Sequence, residues 1–165
     1  MKKKVLFLMM LLMLCGLCIF LFFYYRENKV YVDDYYDVID FTKDGKELHD
    51  YKDVLDVKGK PIEVEIVDEE RKKLIYPDYV VAIYERNGNY FAGSIVITNQ
   101  NIRFGKNEIG VGSTKAEVEM AYFPKKIFKR ENSICYYEEW TEVAYFFDDK
   151  DVVTKIKISA AEYCW

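Results

Sequence analysis

The chain is poor in the residues that carry most enzyme chemistry. One histidine, His49, occurs in 165 residues, alongside only three prolines and eight glycines. No Gly-x-Ser-x-Gly element presents a serine nucleophile, and no glycine-rich loop ends in the Lys-Ser/Thr pair that cradles phosphate. A serine triad would have to use His49, which stands beside Asp50 in a stretch that reads as a surface helix. A metal centre would need carboxylates or thiols instead. Asp33, Asp34, Asp37 and Asp40 lack the fixed glycine and terminal glutamate of a calcium loop. Glu138-Glu139 and Asp148-Asp149 are poor catalytic pairs, because neighbours on a strand point to opposite faces. These absences predict no catalytic, cofactor-binding or metal-binding residues, no cofactor, and a protein that is not an enzyme.

Net positive charge is missing from most of the chain as well. Residues 1–29 hold five basic side chains and one acid, a net of +4, and the rest carries 19 basic and 27 acidic groups, a net of −8. A domain of that sign repels phosphate backbones, which excludes nucleic acid as the natural partner. The small basic run at 124–130, PKKIFKR, reads as a solvated turn.

What is present begins with a long apolar run. Val5 to Tyr25 is 21 residues without a charge, enough helix at 1.5 Å per residue to cross a hydrocarbon core of about 30 Å. Three lysines precede it, and Tyr24 and Tyr25 close it at headgroup level. The run is long for a cleavable signal and no small-x-small site follows. Leu14 and Leu17 stand where a lipoprotein signal needs a small residue before Cys15 or Cys18. An uncleaved single-pass anchor is therefore favoured over a cleaved signal or a lipoprotein. The expected organisation is a cytoplasmic tip and transmembrane anchor at 1–29, an acidic linker at 30–46, and an extracytoplasmic domain at 47–165. That places the protein in the cell membrane through residues 5–25, with the amino terminus cytoplasmic and the C-terminal domain outside. Cys135 and Cys164 would then lie where disulfides persist. They either bridge, closing a loop of about 30 residues, or stay separate buried thiols, the latter favoured.

The outward part alternates helix and strand signals. Leu48, Tyr51, Val54 and Leu55 recur at helical spacing, with Gly59 and Pro61 as stop signals. Ile62, Val64 and Ile66 alternate with acids as on a half-buried strand, and Asn87-Gly88 between apolar runs marks a hairpin. The second half repeats the order. Ser113 or Thr114 caps a helix, with Thr114-x-x-Glu117 as a capping box and Gly110 and Gly112 turning the chain before it. Three strands follow, at 134–140, 142–149 and 151–159. A turn at Asp149-Lys150 puts Val143, Tyr145 and Phe147 on one face with Val152, Thr154, Ile156 and Ile158. The expected fold class is α+β: two tandem helix-plus-three-strand antiparallel units, about 47–98 and 110–159, after the N-terminal transmembrane helix.

The stretch "GVGSTKAEV", the following "AY" and proline, and the closing "VVTKIKIS" together resemble a family of small tandem-repeat domains in secreted and anchored bacterial proteins. Its familiar members include the beta-lactamase inhibitor protein and the small lipoprotein of the outer-membrane barrel-assembly machinery. The resemblance covers about 110 residues and implies helices packed on an antiparallel sheet, with a binding role and no catalysis. The first repeat departs from it, starting its helix with "DGKE" at 44–47. No partner-contact residue is carried over.

Fifteen tyrosines are the conspicuous surplus. Tyr136, Tyr137 and Trp140 fall on one predicted strand, and aromatics on an open sheet face make a protein or sugar platform. The function expected is a membrane-anchored extracytoplasmic binding module with a protein partner. The alternatives are a carboxylate-dependent cell-wall glycan hydrolase and a structural tether.

Overall fold

The computed structural model describes residues 10, 13–19, 35–36, 41–43, 46–48, 50–105, 107–122, 127–138 and 141–160. Strands β1 (Thr42–Lys43) and β2 (Lys46–Glu47) form a short ribbon before helix α1 (Tyr51–Lys58). Four strands follow: β3 (Glu63–Ile66), β4 (Arg71–Ile75), β5 (Tyr79–Arg86) and β6 (Asn89–Ile97). A second ribbon, β7 (Arg103–Phe104) with β8 (Ile109–Gly110), leads into helix α2 (Lys115–Tyr122). Another four strands close the fold: β9 (Ile127–Arg130), β10 (Ser133–Glu138), β11 (Thr141–Phe147) and β12 (Val153–Ala160).

All eight long strands belong to one antiparallel sheet in the order β3-β4-β5-β6-β12-β11-β10-β9. This corrects the expected pair of helix-plus-three-strand units. Each helix is followed by four strands, and the two sets merge where β6 pairs with β12, Ile95 opposite Ile158 and Ile97 opposite Ile156. The fourth strand of the second set is β9, which lies in the basic run read as a solvated turn. Its Lys129 and Arg130 are the charges with which proteins blunt a sheet edge, so they concealed a strand.

Cross-strand partners share a face, so the register sorts every side chain. One face gathers Leu74, Val81, Ile95, Ile97, Ile134, Tyr136, Val143, Tyr145, Ile156 and Ile158, all buried. Both helices cover it, through Val54 of α1 and Val118, Ala121 and Tyr122 of α2. Each large side chain buried there contributes about 1.5–3 kcal/mol against an exposed one. Inside this layer the Tyr145 hydroxyl meets those of Tyr35 and, at 2.9 Å, Tyr122. Burial pushes its ionisation far above the ordinary phenol value. Tyr35, Tyr36 and Phe41, from the stretch expected to be an acidic linker, are all core residues.

Local signals set the element ends. Asp50 accepts the Lys52 amide at 2.7 Å to start α1, and the Gly59 amide donates to the Leu55 carbonyl at 2.9 Å from a left-handed φ of 73°. Leu48 is buried but precedes the helix, and His49 lies outside the described residues. Asn87 and Gly88, both at positive φ, make the expected hairpin between β5 and β6. The second hairpin differs in detail. Asp148 accepts the Lys150 and Val152 amides, each at 2.9 Å, and a bulge between Phe146 and Phe147 shifts the register. Val153 rather than Val152 therefore faces the core beside Phe147, and Thr154 is exposed.

The helix start at 110–117 is tied to this hairpin. The Gly112 amide donates to the Val153 carbonyl at 2.7 Å, and Val153 donates back to Ser113 at 2.8 Å. A Cβ on Gly110 would come within 2.5 Å of the Ile102 carbonyl oxygen, so only glycine lets β8 run this close. Ser113 turns back to accept the Gly110 amide at 3.0 Å. Thr114 is the cap: its amide donates to Glu117 at 2.7 Å, and its hydroxyl oxygen accepts the Glu117 amide at 3.3 Å.

The spanning helix expected over 5–25 is a further correction. Of that stretch Met10 and 13–19 are described, helical and exposed. Among the described residues no helix is long and apolar enough to cross a membrane. The single-pass assignment, and the localisation drawn from it, therefore fall. Tyr24 and Tyr25 lie outside the described residues.

The capping box generates a test. The Thr114 amide, followed by its hydroxyl, holds the Glu117 carboxyl below the usual carboxylate range. That contribution is present above the unfolded-state pKa and is lost as pH falls through the lower folded value. Thr114→Ala is expected to cost about 1 kcal/mol in denaturant unfolding at pH 7. Glu117→Gln should remove part of the wild type's loss of stability on acidification, read as a flatter midpoint against pH between 5 and 3.

Candidate functional site on the outer sheet face

The face opposite the helices changes character along the sheet. At its β3–β4 end it carries Glu63, Glu65, Arg71 and Lys73, with Lys73 2.7 Å from Glu65. At the β9–β11 end it gathers Phe128 and Arg130 from β9, Ser133, Cys135 and Tyr137 from β10, and Glu142, Ala144 and Phe146 from β11. The strand period of two explains this grouping: β10 sends its odd-numbered residues outward and its even-numbered ones to the core.

That alternation splits the predicted aromatic platform. Tyr136 points inward, is buried, packs 4.4 Å from the Tyr122 ring and donates its hydroxyl to Glu138. Tyr137 points outward and is 38% exposed. Trp140 lies outside the described residues, as do Cys164, Tyr163 and Trp165. Cys135 is a free, buried thiol.

Three residues absent from the sequence-based site complete it. Phe128, 41% exposed, meets the Tyr137 ring edge-on at 5.2 Å between centroids. Glu142, 4% exposed, accepts the Tyr137 hydroxyl, while Arg130 lies 3.5 Å from its carboxylate and 3.4 Å from the Tyr137 oxygen. An acid inside the apolar run "EVAYFF" was the available signal for Glu142, since an acid is buried only when paired. Nothing in "PKKIFKR" marked Phe128 before β9 was known to be a strand.

The electrostatics keep the Tyr137 phenol and the Cys135 thiol protonated. The hydrogen bond to Glu142, followed by burial, pushes the Tyr137 phenol up to about 12. Burial, followed by the nearby Glu142 charge, pushes the Cys135 thiol up, away from the thiolate a nucleophile needs. The carboxylates of β10 and β11 are not brought together, because Glu138 opposes Thr141 on the core side and Glu142 opposes Tyr137 on the outer side. Asp148 is spent on two turn amides. Among the described residues no group of three His, Cys, Asp or Glu side chains is placed to hold a metal ion. A cavity between Tyr36, Phe41, Leu48 and strands β6 and β12 offers about 20 Å³ to water. That is room for one water, against the few hundred Å³ of a ligand pocket.

No protein-family model and no curated protein matches the sequence. Solved structures show partial likeness, among them three bacterial proteins. An extracellular protein containing an SCP domain from Bacillus anthracis aligns with TM-score 0.49 and 11% identity, over 68% of this chain and 43% of that one. A DUF4309 family protein from Bacillus subtilis gives TM-score 0.46 and 12% identity, over 73% of this chain and 82% of that one. A cysteine-rich secretory protein from Staphylococcus aureus gives TM-score 0.45 and 14% identity, over 68% and 44%. The chain thus spans less than half of the first and third. None of the three is a beta-lactamase inhibitor protein or a barrel-assembly lipoprotein. At these scores the likenesses assign neither a fold family nor an activity.

The Tyr137–Glu142 bond sets an alkaline dependence. A raised folded pKa gives stability that is full below the unfolded phenol value near 10 and lost as pH rises through the folded value of about 12. The stability difference between wild type and Tyr137→Phe should therefore shrink from pH 10 to 12 in urea unfolding. A difference constant across that window would contradict the bond.

Proposed function

We propose that the protein is a non-catalytic protein-binding module that engages its partner through the outer face of the sheet at the β9–β10 end. The observation carrying this reading is the Phe128–Tyr137 pair. Two large aromatics stand half-exposed and edge-to-face, with Arg130 beside them and Glu142 underneath. Exposed aromatics with an arginine match the composition of interface hot spots, which bury rigid rings against a partner and draw specificity from a few polar groups. The hydrogen-bonded Glu142 holds the Tyr137 ring in place before binding, which lowers the ordering cost of association. The raised thiol and phenol suit a fixed recognition surface.

The test compares wild-type chain with Phe128→Ala as immobilised baits in extracts of the source cells, with Thr154→Ala, also exposed on the sheet, as control. A partner retained by wild type and by the control should be lost at least tenfold from Phe128→Ala, the size expected for a hot-spot ring. Equal retention by all three baits would refute the assignment of this patch.

A further inference from the structure

The other end of the sheet is an edge whose charges are acidic and whose aliphatic row is exposed. Strand β3 is terminal in the strand order, and all four of its residues are exposed. Its core-side row is apolar but lies beyond the cover of the helices. Ile62 and Ile66 are each 72% exposed and Val64 46%, and Val67 is exposed too. The opposite row is Glu63 and Glu65. An apolar, accessible edge strand is a template for another strand, and natural sheets normally blunt it.

The free backbone groups can be located. The Val67 amide donates to the Arg71 carbonyl at 3.0 Å. In an antiparallel ladder, residues directed at the neighbouring strand alternate with residues directed away. Glu63 and Glu65 therefore spend their backbone groups on β4, while the N–H and C=O of Val64 and Ile66 point outward. Outward hydrogen-bonding positions and apolar side chains coincide on the same two residues.

Charge decides what fits. Residues 61–70, PIEVEIVDEE, hold five acids and no base. Lys73 neutralises Glu65 at 2.7 Å, and Asp68 is bound by the Arg71 Nε at 2.6 Å, which leaves the run net negative. A second copy adding its own β3 antiparallel would lay Glu63 and Glu65 against the same two acids, and like charges across a strand pair repel. We infer that the β3 edge accepts, by strand addition, an extended segment of a partner protein whose residues alternate apolar with lysine or arginine. The apolar side chains would cover Val64 and Ile66, the basic ones would lie along Glu63 and Glu65, and Val64 and Ile66 would supply the main-chain bonds. This site is at the far edge of the sheet from Phe128 and Tyr137 and does not depend on that patch.

The experiment uses the full chain and a fluorescent, acetylated twelve-residue peptide of alternating lysine and valine, followed by anisotropy. Its counterpart of alternating glutamate and valine is the charge control. Binding of the lysine peptide is expected, at least tenfold tighter than the glutamate peptide. Val64→Pro removes one outward N–H, a change an edge strand tolerates on its solvent side, and should weaken binding at least tenfold. Glu63→Lys should do the same. In the wild-type chain, the peptide should slow amide exchange at Val64 and Ile66 and leave β9 unchanged, a readout independent of any variant's folding. Unchanged exchange at both residues would overturn the inference. So would a peptide-free dimer, seen by sedimentation, that Val64→Pro dissociates, because a second copy would then occupy the edge. Phe128→Ala should leave peptide binding intact, which separates this site from the proposed outer-face patch.

Discussion

The pairing of β6 with β12 is the contact on which the remainder rests. Ile95 against Ile158 and Ile97 against Ile156 join two four-stranded sets into one layer, with β5 and β11 flanking them. These four isoleucines lie under the helices and are almost wholly buried. Without the junction, each set would expose a long apolar edge at its centre and each helix would cover half a core. With it, the unpaired edges are moved outward to β3 and β9, the two strands with the most exposed residues.

The two ends differ in what they present. At β9 the outward side chains are an aromatic, Phe128, and a cation, Arg130, backed by a buried carboxylate. At β3 they are acids on one side and bare aliphatics on the other. One architecture thus ends in two surfaces of unlike chemistry. The tyrosine surplus divides along the same line. Tyr35, Tyr122, Tyr136 and Tyr145 are core residues whose rings pack and whose hydroxyls find partners, whereas Tyr137, and Tyr84 opposite Arg71, lie on the outer face.

What was legible in the sequence was local. The Thr114–Glu117 box, the Asn87-Gly88 turn, the Gly59 stop and the helical stripe through Val54 depend on residues within a few positions of each other. What was not legible depends on contacts made far along the chain. β9 is a strand because β10 lies beside it, and its four residues show no alternation to announce it. The bulge at Phe146 exchanges Val152 for Val153, a one-residue shift that pattern counting does not resolve. Tyr35 looked like part of an acidic spacer, and Phe104 and Tyr145, 69 and 110 positions later, make it core. Of the candidate site, Tyr137 was visible as an aromatic, yet alternation alone should have turned Tyr136 inward. Phe128 and Glu142 needed the register.

The most direct measurement of the central claim is the set of cross-strand nuclear Overhauser contacts in the isotopically labelled chain. A single sheet requires backbone contacts between residues 94–97 and 156–159, in the antiparallel register that sets Val96 opposite Lys157. Their absence, with each four-stranded set showing its own internal contacts, would mean that the halves fold separately and that the shared core described here does not exist.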